Sequence, residues 1–145
     1  MGIGAFAREH LTALAALDGA DVRWVVGHDL ERTRALAALV PGARATTALD
    51  EALADDAVHA VDVVTATPTH ARDTIAAGEA GKHVQVEKPA ALSLPELDAM
   101  VAATEGRGTT LVVGQTVRLS LILSSAPTRP ARRSVAGCGG TERGG

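Results

Sequence analysis

The sequence predicts an alternating α/β protein built on a parallel sheet. Three observations predict it. The chain has 145 residues, enough for one domain and little more. Apolar residues make up 46% and charged residues 21%, the composition of a packed core and not of a disordered chain. Short apolar runs of strand length alternate with stretches whose apolar residues recur at helical spacing, the pattern of βαβ units.

The first helix is predicted over Phe6 to Leu17, where Leu11, Leu14 and Leu17 share one face among helix-favouring alanines. Asp21 to Val26 ends in an apolar Trp-Val-Val run and reads as a buried strand. Leu30 to Val40 is helical and stops at Pro41-Gly42. Ala43 to Thr46 is a short strand, and Thr47 is expected to cap a short helix through Leu53 with Asp50 as its reciprocal partner. Ala60 to Thr65 is a strand, His70 to Glu79 a helix, and Gly81 stands just past its end. His83 to Glu87 is a strand. Ser93 caps the next helix, with Pro95 and Glu96 in its first turn, and that helix closes at Gly106. Thr110 to Val113 is the last strand.

Composition excludes several functions. One Trp, one Phe and no Tyr leave too few aromatic faces for a base-stacking nucleic-acid surface. A net charge of -3 argues against a basic DNA-binding face. A single cysteine, Cys138, makes neither an internal disulfide nor a cysteine-based zinc site. No His, Asp and Glu cluster has metal-ligand spacing, so no metal is expected. No apolar run reaches a membrane span and no signal peptide is visible, so a cytoplasmic protein without membrane or nucleic-acid partners is expected. Residues 119–145 carry a net +3 against -6 for residues 1–118, are rich in Ser, Pro, Arg and Gly, and show no sustained period. They read as a disordered or frameshifted tail.

The chemistry-bearing start is Gly2-Ile3-Gly4-Ala5-Phe6-Ala7, a G-x-G-x-x-A run leading straight into a helix. The first glycine makes a tight turn, the second lets backbone N–H groups approach a diphosphate, and the third small residue lets helix and sheet pack closely. The helix N-terminus then faces the phosphates with its partial positive charge. The competing reading is a flexible glycine-rich terminus, because no strand precedes the turn. An acid normally closes the second strand and bonds the adenosine ribose. Gly27 stands in that place, with His28 and Asp29 after it. Without the acid, His28 or Arg32 could pair with a 2′-phosphate, so NADP is slightly favoured over NAD.

Gly81-Lys82-His83-Val84-Gln85-Val86-Glu87-Lys88-Pro89 resembles the Glu-Lys-Pro block of the glucose–fructose oxidoreductase/inositol dehydrogenase (Gfo/Idh/MocA) family. Thr67-Pro68-Thr69-His70 is similar to that family's loop after the fourth strand, and Gly114 to Arg118 to the end of its sixth. The resemblance covers residues 2–118, and within the family it is nearest to NADP-dependent semialdehyde dehydrogenases of aromatic catabolism. It implies a Rossmann-type doubly wound sheet over residues 1–118 that binds NAD or NADP. The implied reaction is hydride transfer to or from a sugar, polyol or related hydroxy or aldehyde compound. Lys88 is the implied catalytic residue. It is expected partly buried at the end of a central strand, where it relays a proton or holds the substrate oxygen. Glu87 would bond near the nicotinamide ribose, and Pro89 would keep the backbone bent. Thr65, Thr67, Pro68 and His70 would line the cofactor cleft. His10 is expected to pack within the first helix.

Two departures from the family limit what carries over. The opening strand, central in the order 3-2-1-4-5-6, is absent. Its five or six buried residues, at roughly 1.5–3 kcal/mol each, sum to the order of a whole domain's stability. The natural start is therefore expected upstream of Met1, or the chain is expected to fold poorly. The family's C-terminal α+β substrate domain is also absent, and a frameshift near Arg118 would explain this. As it stands the chain is expected to bind cofactor weakly without turnover. The alternatives are a non-catalytic NAD(P)-binding module and a truncated pseudogene product. Oligomeric state stays open, because the family usually assembles through the missing domain.

Overall fold

A computed structural model of the chain describes residues 1–115. The elements follow in strict alternation: α1 (Ala5–Ala15), β1 (Trp24–Val26), α2 (Leu30–Ala37), β2 (Arg44–Thr46), α3 (Leu49–Leu53), β3 (Ala60–Val63), α4 (Thr67–Glu79), β4 (His83–Glu87), α5 (Leu94–Glu105) and β5 (Leu111–Gly114). The expected tail, with Cys138, and the expected family match at Thr116, Val117 and Arg118 lie outside the described residues. No helix among the described residues is long and apolar enough to cross a membrane.

Local chemistry sets the boundaries. α2 begins at Asp29, whose carboxylate accepts from the Arg32 N–H at 3.1 Å. α4 starts at Thr67 and not at His70, because Pro68 fits the first turn, where its missing N–H has no intrahelical role. α5 is capped by Ser93, while the Glu96 carboxylate turns back to accept from the Leu92 N–H at 2.8 Å. The cap expected from Thr47 and Asp50 is made one residue earlier. Thr46 accepts from the Ala48 N–H at 3.0 Å and donates to Glu51 at 2.6 Å, so the end of β2 and the start of α3 share one hydroxyl.

Every strand pair is parallel, as the alternation requires, but the strands form two ladders: β1 with β2, and β3-β4-β5. Met1 and Gly2 stand between them. The Met1 ammonium donates to the Asp62 carbonyl at 2.5 Å, the Val64 N–H donates to the Met1 carbonyl at 2.8 Å, and the Gly2 N–H donates to the Val26 carbonyl at 2.9 Å. Two residues thus do the work of a central strand at its carboxyl end. Below them the facing edges of β1 and β3 enclose a cavity of about 750 Å³ lined by Leu11, Leu14, Val25, Leu53 and Val61.

At the opposite, amino end of the strands, Asp55 joins the two ladders. Its carboxylate accepts from Trp24 Nε1 at 2.9 Å, from Arg23 Nε at 3.3 Å and from Arg44. Its backbone carbonyl accepts from the buried Lys82 at 3.1 Å. The Arg44 guanidinium lies 3.8 Å above the Trp24 ring. The Trp24 hydrogen bond, more than any other contact, holds the Asp55 pKa down at about 2; the Ala57 N–H and Arg23 add to it against opposing desolvation.

Apolar burial falls into two clusters. Ala7, Leu11, Val25, Leu36, Ala37 and Val64 pack α1 and α2 on β1. Leu53, Val63, Ala77, Val84, Val86 and Met100 pack α4 and α5 on the three-stranded ladder, with Met100 wholly buried. Gly78 allows α4 to approach α5, since a Cβ there would lie 3.0 Å from the Thr104 methyl.

Candidate cofactor site at the carboxyl edge

The carboxyl ends of β1, β3 and β4 and the N-terminus of α1 converge on one edge, the position at which open α/β sheets take ligands. Gly2 has φ +113°, and a Cβ on it would lie 2.5 Å from the Val64 carbonyl oxygen. The first glycine of the motif is therefore fixed by backbone-to-backbone approach. Gly4 is the N-cap of α1 and makes no side-chain cap; a Cβ there would meet nothing within 4 Å. No acidic residue occupies the first turn of α1. Uncapped leading N–H groups, open space in front of them and no nearby carboxylate fit an anionic diphosphate. Ala7 is buried against the sheet, as the third small position requires, while Ala5 and Phe6 are exposed. Ile3 is half-buried and turned toward the end of β1.

The end of β1 explains the missing acid. A Cβ at Gly27 would lie 2.3 Å from Ile3 Cγ2 and 2.4 Å from Thr33 Oγ1. The Ile3 side chain fills the space that an acidic side chain would need. Asp29 does not replace the acid, because its carboxylate caps α2. His28 and Arg32 are both exposed beside this turn.

The Glu-Lys-Pro block ends β4. Lys88 is exposed and not partly buried as expected, since its side chain leaves the strand end toward solvent. It is nonetheless brought to the glycine turn: its Nζ lies 5.8 Å from the centre of the Phe6 ring. Its backbone N–H donates to Glu87 Oε2 at 3.1 Å. The Lys88–Pro89 peptide bond is cis. Glu87 is 6% exposed, and its Oε1 has no hydrogen-bond partner. A Cβ on Gly114 would lie 2.6 Å from that oxygen, so the glycine of β5 makes room for the carboxylate.

His70 is placed differently from expectation. It is 1% exposed and does not face the cleft. Its Nε2 lies 2.9 Å from the Thr65 carbonyl oxygen and its Nδ1 2.9 Å from that of Pro89. Both nitrogens are committed to backbone, so the expected ligand contact is corrected to a contact between two loops. Thr65 donates through its hydroxyl to the buried Asp73 at 3.1 Å and accepts from Thr69 at 2.8 Å. Thr67 and Pro68 form the first turn of α4, half-buried and exposed respectively.

Sequence reasoning missed His10 as part of this network. It reaches across from α1, with Nδ1 2.8 Å from Asp62 Oδ2 and Nε2 3.4 Å from Glu87 Oε1. The available signal was its place one turn after Phe6, on the helix face that looks along the strand ends. The ring centroids of Phe6 and His10 are 5.8 Å apart. Asp73 was missed as well; a carboxylate within the apolar face of α4 is the kind of residue that burial makes significant.

Comparison with known proteins agrees with this geometry. The model of the GFO_IDH_MocA oxidoreductase family, NAD-binding Rossmann fold, matches residues 1–115. The chain is 38% identical over 119 residues to 4-carboxy-2-hydroxymuconate-6-semialdehyde dehydrogenase of Sphingobium sp., covering 82% of this chain and 38% of that protein. Among solved structures, GenD2 from gentamicin A biosynthesis in complex with NAD superposes with a TM-score of 0.74 at 39% identity, over 79% of this chain and 34% of GenD2. KijD10 of Actinomadura kijaniata, a 3-ketoreductase in complex with NADP and TDP-benzene, gives 0.73 at 25% identity, over 85% and 40%. The chain thus spans between a third and two fifths of the length of these proteins. The glycine turn on α1, the parallel ladders and the Glu-Lys-Pro strand end together place this chain in the Gfo/Idh/MocA oxidoreductase family, whose NAD-binding Rossmann domain it carries.

Proposed function

We propose that this chain is the coenzyme-binding part of an NAD(P)-dependent oxidoreductase acting on a sugar, polyol or related hydroxy or aldehyde compound. The observation that carries it is the approach of Lys88 Nζ to Phe6 at the glycine turn, which sets a cation beside the loop that would hold a diphosphate. Ile3, Gly4, Ala5 and Phe6 would grip the diphosphate with main-chain N–H groups, Gly2, whose N–H is held by Val26, would make the tight turn, and Ala7 would keep α1 close to the sheet. Thr65, Thr67 and Pro68 would border the cleft on the β3 side. Glu87, whose Oε2 holds the Lys88 N–H and whose buried Oε1 lies 3.4 Å from His10 Nε2, would support the ribose end through the strand end it fixes.

A bound nicotinamide coenzyme supplies hydride transfer. The carbinol proton must then leave or join the substrate oxygen, and Lys88, exposed at the strand end and anchored by Glu87 through its backbone, would hold that oxygen or relay that proton. The similarity to a semialdehyde dehydrogenase supports an aldehyde-bearing substrate. Coenzyme choice leans to NADP, because Gly27 leaves no acid to repel a 2′-phosphate and both His28 and Arg32 stand exposed next to it.

Fluorescence titration with NADH and NADPH tests the binding step, with tighter binding of NADPH expected. Spectroscopic assay with polyols and semialdehydes tests the reaction. In the chain joined to a substrate domain, Lys88→Met is expected to lower turnover by about 10²–10⁴-fold. Coenzyme binding without any turnover, even after the missing ends are restored, would favour a second reading, a non-catalytic NAD(P)-binding module.

A further inference from the structure

We propose that His70 is a positioning residue, which brackets the loops after β3 and β4 through both ring nitrogens and so sets where Lys88 stands. The proposal rests on the assignment of Lys88 to the nicotinamide end of the site.

His70 lies in the first half of α4 and is 1% exposed. Its two partners are the carbonyls of Thr65 and Pro89, each at 2.9 Å, one on each of the two loops that follow neighbouring strands. Carbonyl oxygens only accept, so both contacts are satisfied only by a ring that carries hydrogen on both nitrogens. A ring with one hydrogen would set a lone pair against a carbonyl in a buried place, where an unmade bond is costly. Asp73, wholly buried one helical turn further on, accepts from the Thr65 hydroxyl at 3.1 Å and is paired with Arg72 at 2.7 Å, which fixes the same loop from its other side.

The bracket acts on Lys88 through the backbone. On one side of Lys88, its N–H is held by Glu87 Oε2 at 3.1 Å. On the other, the carbonyl of the next residue is held by His70. The main chain is therefore pinned before and after Lys88, while the side chain stays free to reach over Phe6. Removing the imidazole unties the β4 loop from the β3 loop and leaves the backbone hydrogen bonds of the glycine turn, to Val26 and from Val64, in place.

The test uses the 145-residue chain and two readouts. The first is the nitrogen spectrum of histidine-labelled protein at neutral pH, with the His70 signals assigned by their loss in His70→Asn. Hydrogen on both nitrogens is expected; hydrogen on one only overturns the bracket. The second is affinity for NADH against affinity for ADP-ribose, which lacks the nicotinamide. In His70→Asn, NADH is expected to bind about tenfold more weakly, the cost of one or two hydrogen bonds, with ADP-ribose changed less than about twofold. His70→Gln, whose amide offers two hydrogens, is expected to recover part of the NADH affinity. Equal losses for both ligands mark a general loosening and overturn the positioning role, as does unchanged NADH affinity in a folded variant. Should His70 variants not fold, the nitrogen spectrum of the unaltered chain still decides. Should the unaltered chain bind neither NADH nor NADPH, the proposed function fails, and the nitrogen spectrum decides the bracket separately.

Discussion

Gly27 shows how its neighbours fix which residue can stand at one position. Its place at the end of β1 is legible in the sequence, and so is the absence of an acid there. The cause is not legible, because it is the Ile3 side chain, from the other end of the glycine turn, that fills the space. Gly27→Ala is therefore expected to destabilise the chain by about 1–3 kcal/mol through overpacking, seen as a lower midpoint in denaturant with an unchanged slope. Gly27→Asp is expected to cost at least as much. An unchanged midpoint for Gly27→Ala would mean that Ile3 and Thr33 yield freely, and that the acid is missing for another reason. His70 and Asp73 carry the complementary lesson. Their types were visible, yet burial and partners five to nineteen residues away gave them tasks that spacing does not reveal.

Between elements, the amino-terminal end of the strands is held by Asp55 and not by apolar packing alone. Arg23 and Trp24 come from β1 and the residue before it, Arg44 from β2, and Lys82 from the residue before β4. The Asp55 pKa is lowered from 3.8 to about 2 in the folded chain. A depressed carboxylate contributes stability that is present above its unfolded value and is lost as pH falls through the folded one. Thermal midpoints are thus expected to fall between about pH 4 and pH 2, and Asp55→Asn is expected to flatten that part of the profile. An identical slope in the variant would show that other carboxylates govern acid unfolding. The elements themselves were largely legible. The strand His83–Glu87 and the helix capped by Ser93 and closed by Gly106 match expectation, because alternation, cap and stop signals agree there. The start of α4 and the cap of α3 were misplaced. Pro68 and Thr46 each serve a neighbouring element, which a local pattern does not show.

For the whole molecule, the facing edges of β1 and β3 leave a slot between the two ladders. The two strand edges that face it are bridged only by Met1 and Gly2 among the described residues, and the apolar walls enclose about 750 Å³. Thermal unfolding of the 145-residue chain is expected below about 50 °C; a cooperative transition well above that would show that the slot costs little. Desolvation lowers the pKa of the Met1 ammonium from 8.0 against the pull of Asp62 and Asp73. Joining five alternating apolar residues to Met1 replaces that charge with an amide and offers both edges a partner. Such an extension is expected to raise the midpoint by 10 °C or more, on the order of a few kcal/mol for a domain of this size. An extension carrying charged residues at the alternating positions is expected to give no gain.

The sequence by itself determined the alternation of elements, the parallel sheet, the glycine turn and the Glu-Lys-Pro strand end, because each rests on short-range periodicity, on turn chemistry or on a contiguous motif. Tertiary structure alone decided that Lys88 stands over Phe6, that His10 reaches two carboxylates, that His70 ties two loops and that Ile3 excludes an acid at position 27. Those facts are distances between residues far apart in the chain, and only the packing of the elements against one another sets them.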